Sequence, residues 1–199
     1  MEMTDYKWDR VIIDADFAIK MNKVTDVNAI QDYIPLFVGM LYIHEHVYEN
    51  EILVPKRTRD QVDVLIEQGR AEIISVLSFE GDPFGKMVYE ETINLLKSAD
   101  PKTVEEGKNW GETVSIAFAK AKGINYFLSD ERNLQELLDE YINNQTSQDI
   151  NTIRIRNFIT AMKEAGHKRK EAYKLWMASH KKDQVDWAKK MFKDQIWPI

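Results

Sequence analysis

The stretch Arg10-Val11-Ile12-Ile13-Asp14-Ala15-Asp16 decides how this chain is to be read. Three β-favouring residues in a row describe a buried strand. The carboxylate that ends it stands where open α/β sheets present their ligands, outside the carboxyl ends of the strands. The same grammar returns in Ile124-Asn125-Tyr126-Phe127-Leu128, which runs into Ser129-Asp130-Glu131. Two strands that deliver acids to one sheet edge describe a place for a cation.

Between and beyond these strands the apolar spacing changes to a helical period. Helices are expected over Asp26–Ile34 (capped by Asp26 and stopped by Pro35), over Thr58–Gln68 with Gly69 just past the end, over Phe84–Lys97, and over Glu112–Lys122 ending at Gly123. Leu36–Ile43 is apolar but too short for periodicity to separate strand from buried helix. His44–Ile52 reads as helical, Glu72–Leu77 as a strand, and Pro101 and Gly107 bracket a break. Leu134–Tyr141 is a short helix, and Ile153-Arg154-Ile155 a last strand before a helix that runs through Lys163. Strands alternating with helices imply a mostly parallel sheet of about four or five strands covered on both faces, a three-layer α/β/α fold. Gly166-His167 marks the one boundary, giving a domain over 8–165 and a helical extension over 166–199.

Composition narrows the chemistry. With no cysteine in 199 residues, disulfides, thiolate-bound zinc and a cysteine nucleophile are all excluded. The polar start has no signal-peptide core, and no apolar run approaches the roughly 20 residues that cross a bilayer. A cytoplasmic protein with no membrane partner is expected. The net charge of −6 hides an asymmetry: residues 1–149 sum to −13 and residues 150–199 to +7. In the extension Tyr173, Trp176, Met177, His180, Gln184, Trp187 and Met191 form one stripe with lysines on the other sides. That stripe packs on the body or forms a dimer surface. The sharper reading makes Lys168, Arg169 and Lys170 an RNA contact.

Four acids stand out by context: Asp14, Glu49 in the run Ile43-His44-Glu45-His46-Val47-Tyr48-Glu49, Glu112 in the first turn of a small-residue helix, and Asp130. Carboxylates brought together repel and raise one another's pKa. A hard divalent cation removes that penalty, so Mg²⁺ or Mn²⁺ is the expected occupant. His44 and His46, two apart on a helical segment, lack the spacing of a zinc site. Trp110 is core or a stacking surface at the site mouth.

The order of these segments resembles the PIN domain family of metal-dependent ribonucleases, which includes toxins of bacterial toxin–antitoxin pairs. The resemblance is carried by Val11-Ile12-Ile13-Asp14-Ala15-Asp16, by Gly111-Glu112-Thr113-Val114-Ser115-Ile116-Ala117-Phe118-Ala119 and by Phe127-Leu128-Ser129-Asp130-Glu131, over residues 8–165. It implies endonucleolytic cleavage of RNA, with Asp14, Glu49, Glu112 and Asp130 as catalytic acids. Of these, Asp14, Glu112 and Asp130 would ligate the metal, with Asp16, Glu45 and Glu131 in support. An antitoxin or a second copy of the chain is the implied protein partner. Asp16 stands where the family often has Ser or Asn. The segment after Ile43 offers Glu45, Glu49 and Glu51, of which spacing favours Glu49, with Glu45 one turn earlier as the alternative.

Two other readings compete. Asp14-Ala15-Asp16 also resembles the first motif of haloacid dehalogenase-like phosphatases, although Phe17 and Ala18 replace the Gly and hydroxyl residue expected there. A non-catalytic RNA- or partner-binding protein of the same fold is the other, and acids at all four places argue against it.

Overall fold

A computed structural model describes residues 6–99, 109–145 and 148–198. The opening strand, β1 (Trp8–Ile13), occupies the centre of a five-stranded parallel sheet. Its neighbours are β2 (Val38–His44) and β4 (Tyr126–Leu128), with β3 (Ala71–Ile74) outside β2 and β5 (Asn151–Ile153) outside β4. All four strand pairs are parallel, and β1 is held in register by Val11 opposite both Leu41 and Tyr126.

Centrality follows from the sequence: Val11, Ile12 and Ile13 are each wholly buried, and successive side chains of a strand point to opposite faces. Val11 and Ile13 enter one core with α1 (Ala15–Asn22), α2 (Ala29–Phe37), α3 (Lys56–Glu67) and α7 (Ile155–Glu164). Ile12 enters another with α4 (Pro83–Ala99), α5 (Trp110–Lys122) and α6 (Leu134–Tyr141). One strand feeding two cores makes a three-layer α/β/α molecule. The extension folds as α8 (Arg169–Ala178) and α9 (Val185–Met191), and it is not set apart from the body. Ala172, Leu175, Trp176, Ala188, Phe192 and Ile196 join the same core as Val11 and Ile13. Among the described residues no helix is long and apolar enough to cross a membrane.

Several boundaries move, each for a local reason. Pro35 lies inside α2 instead of stopping it, because Ile34 and Phe37 are both buried and hold the last turn down. Asp26 does not cap that helix: it forms an ion pair with Lys174 of α8, and the N-cap is Asn28. The apolar run at 36–43 resolves into the end of α2 followed by β2. β3 stops at Ile74, where the Ser75 hydroxyl accepts from the Leu77 N–H and the Ser78 hydroxyl from the Ser75 N–H, closing a short 3-10 turn. β5 lies two residues earlier than expected, and Ile155 opens α7. The break between Pro101 and Gly107 lies outside the described residues.

The sheet order places the site. After β1 the chain builds outward through β2 and β3, then returns to add β4 on the other flank of β1. That reversal is the switch point of an open parallel sheet, where diverging connections leave a crevice at the strands' carboxyl ends. Asp14 and Ser129-Asp130 flank it.

Candidate functional site

Asp14 follows β1 directly. Its N–H donates to the Leu128 carbonyl at 2.9 Å, tying the end of β1 to the end of β4, and its Oδ2 accepts from the Asp16 N–H at 3.3 Å as the N-cap of α1. The residue is only 8 % exposed. Burial, then the nearby charges of Glu51 and Asp16, push its pKa from 3.8 to about 7 against the pull of the Ala15 and Asp16 amides.

Glu112 comes to the same place from the first turn of α5. Burial raises its pKa from 4.5 to about 8, and the charges that add to the rise are Asp14, Glu131, Glu51 and Asp16. Every one of those neighbours is another carboxylate. Among the described residues no basic side chain forms an ion pair with Asp14 or Glu112.

The acid supplied by the segment after β2 is Glu51, where spacing favours Glu49. The segment Val47–Glu51 is a π turn, in which Ile52 N–H donates to the Val47 carbonyl at 3.1 Å. Val47 and Ile52 are both wholly buried, so the turn is pinned at its two ends and Glu51 follows Ile52 inward. Burial raises the Glu51 pKa, while His46, with Nε2 3.6 Å from Oε1, and the Gly111 amide hold it down. The Glu51 carboxylate lies close against Gly111, so a Cβ there would displace that side chain. Glu49 is exposed and pairs with Arg59 at 3.4 Å, and that guanidinium lies over the Tyr48 ring at 4.1 Å. Glu45 is exposed on the preceding turn.

Asp130 is near but differently occupied. Its Oδ2 takes Lys20 Nζ at 2.9 Å, and its Oδ1 accepts from the Ile155 N–H at 3.3 Å with Arg154 Nε at 3.6 Å. Lys20 also reaches Asp16 Oδ2 at 2.6 Å. Asp16 and Glu131 are exposed at the rim. The structure therefore brings Asp14, Glu51 and Glu112 together, sets Asp16 and Glu131 around them, and joins Asp130 to them through Lys20. Glu49 and Glu45 lie apart.

His44 is no ligand candidate. His44 is buried, its Nδ1 accepts the His46 N–H at 3.1 Å, and its proton is thus on Nε2, facing the Tyr89 hydroxyl at 3.2 Å. Burial and the neighbouring His46 lower its pKa from 6.5 to about 4, which keeps it neutral. Trp110 packs partly buried on the second core, with Lys97 Nζ 5.0 Å from its ring centroid.

The basic trio lies far from the acids. Helix α7 starts at the carboxyl edge of the sheet and ends where Glu164 pairs with Lys7, just before β1, and where the His167 ring meets Phe37, just before β2. Lys168, Arg169 and Lys170 therefore stand at the amino edge. Arg169 is already engaged, donating to the Trp197 carbonyl at 3.3 Å with its guanidinium 5.2 Å from the Phe192 ring centroid.

The donor set suits a hard divalent cation in kind, because every candidate ligand is a carboxylate oxygen and, among the described residues, the most buried of them pair with no lysine or arginine. Among the described residues, no three acidic or histidine side chains are arranged to hold one ion by themselves. Mg²⁺ commonly takes only one or two protein carboxylates and keeps water on its other positions, so a site of that kind would need no more than Asp14 and Glu112. Comparison with protein-family models, with curated proteins and with solved structures returns no match for this chain.

Proposed function

We propose that this chain is a divalent-metal-dependent endoribonuclease of the PIN type. The observation that carries the metal is the pairing of Asp14 with Glu112: two acids from different elements, near enough that Asp14 raises the pKa of Glu112, with values of about 7 and about 8 and no base paired to them among the described residues. Such an arrangement costs stability unless a cation offsets it. Asp14 and Glu112 would hold Mg²⁺ or Mn²⁺ directly, and Glu51, fixed by Gly111 and His46, would orient a water of that shell. Bound there, the ion supplies an activated water and charge stabilisation at a phosphodiester. The substrate class rests on the resemblance of the segments around Asp14, Glu112 and Asp130 to the PIN family, and the acids rest on geometry.

The test is incubation of structured and unstructured RNA with Mg²⁺ or Mn²⁺, comparing the native chain with Asp14→Asn. Cleavage by the native protein that is lost with chelator and falls at least about 100-fold in the variant is the expected result. Equal cleavage by the two proteins, or none by the native chain with either metal, overturns the assignment.

A further inference from the structure

The acids at the carboxyl edge fall into two sets that differ in how their charge is met. Asp14, Glu51 and Glu112 have no lysine or arginine partner among the described residues, whereas Asp16 and Asp130 share one. That partner, Lys20, lies one helical turn after Asp16 on α1, so the i,i+4 spacing aims its ammonium back over the helix N-terminus. Nζ stands 2.6 Å from Asp16 Oδ2 and 2.9 Å from Asp130 Oδ2, and the side chain is 19 % exposed. These are the lengths of charge-assisted hydrogen bonds, and the ammonium they hold puts one positive charge between carboxylates from two elements, a place that a divalent cation would otherwise take. Asp130 is fixed further by the Ile155 amide at 3.3 Å and by Arg154, whose guanidinium also donates to the Asp130 carbonyl at 3.2 Å.

We infer that Lys20 takes the place of a second metal ion, so that this site holds one divalent cation, at Asp14 and Glu112, and Asp130 is not one of its ligands. The inference rests on the metal-dependent reading above and sharpens it. Lys20 is a positioning residue: it anchors Asp16 and Asp130 against each other across the crevice, and a fixed ammonium needs no ion from solution. With three donors and two carboxylates engaged, it retains one N–H for an oxygen of the substrate.

Mn²⁺ binding to the full chain, counted by calorimetry and by electron paramagnetic resonance without RNA, separates the possibilities. Native protein is expected to bind one Mn²⁺, and Asp130→Asn to bind it within about twofold of native affinity. Loss of a true ligand or of its close support commonly costs 10- to 100-fold. Lys20→Met should bind a second ion, lost again in the Lys20→Met/Asp130→Asn double variant, while Lys20→Arg should keep the count at one. Circular dichroism establishes that each variant is folded; should Lys20→Met not fold, Asp130→Asn and Lys20→Arg still decide. Two ions on the native chain, or a loss of tenfold or more in affinity for Asp130→Asn, overturns the role of Lys20 and leaves the metal-dependent reading standing. No Mn²⁺ on the native chain overturns both.

Discussion

The two ends of the sheet treat charge in opposite ways. At the amino edge, charges are matched or capped: Lys7 pairs with Glu164, Lys174 with Asp26, and Arg57 donates to the carbonyls of Val24 and Val27 at 3.0 and 2.6 Å. At the carboxyl edge, Asp14 and Glu112 are held beside other carboxylates, with no base paired to them among the described residues. Pairing at one end closes the fold over its core. The acids at the other end carry an electrostatic cost, which the proposed cation would relieve. On the proposed reading, the ion pairs that hold the fold and the acids that would do chemistry stand mainly at different edges of one sheet.

The largest effect should come from the core, away from the acids. Trp176 is buried in the first core, and its indole N–H donates to the Ala188 carbonyl at 2.8 Å. Trp176→Ala should cost about 3–5 kcal/mol in urea denaturation, yet leave cleavage per folded molecule unchanged. A loss of cleavage in the folded fraction would mean that the two edges are coupled.

Next comes the chemistry. Glu112→Gln should lower RNA cleavage at least about 100-fold while raising the thermal midpoint of metal-free protein, because a buried like charge is removed. Lys170→Ala, at the opposite edge, should change cleavage by less than about twofold. If the lysine variant loses more, the amino edge takes part in substrate binding after all.

The pH dependence should be of intermediate size. Asp14 and Glu112 have folded-state pKa values raised above their ordinary ones, so between pH 4 and about 8 the folded chain binds more protons than the unfolded chain. Their contribution is therefore most favourable at low pH and is lost as pH rises through 7 to 8. Without divalent ions, the native chain should lose several kcal/mol more between pH 5 and pH 8 than Asp14→Asn/Glu112→Gln does. Mn²⁺ at 100 times its dissociation constant should return about 2.7 kcal/mol at pH 8. Equal slopes for the two proteins in urea titrations would show that these acids carry no such cost.

The smallest contrast is between neighbours in one turn. Glu51→Gln should reduce Mn²⁺ affinity about tenfold, and Glu49→Gln, which breaks only an exposed pair with Arg59, should not change it measurably. The reverse ranking would restore the choice that sequence spacing favours.

How much of this was legible beforehand depends on which forces act locally. The strand Val11–Ile13, the acid at its end, the small-residue helix with Glu112 and the parallel three-layer architecture all follow from runs and periods that neighbouring residues impose. The choice among Glu45, Glu49 and Glu51 does not, because it turns on a π turn pinned by two buried residues, Val47 and Ile52. Helical spacing assumes 3.6 residues per turn and fails wherever packing widens the turn. The part played by Asp130 was hidden for a similar reason. Its partner Lys20 is 110 residues away, and only the pairing of β1 with β4 brings the two together. The spacing of Asp16 and Lys20 was visible as an i,i+4 pair, but nothing local showed that a third charge would join it.

By itself, then, the sequence determined that acids stand at the carboxyl ends of buried parallel strands, since alternation and apolar runs are properties of adjacent residues. The tertiary structure alone decided which acids stay unneutralised. That outcome depends on which elements the sheet order places across the crevice, and on the burial of Asp14 and partial burial of Glu112.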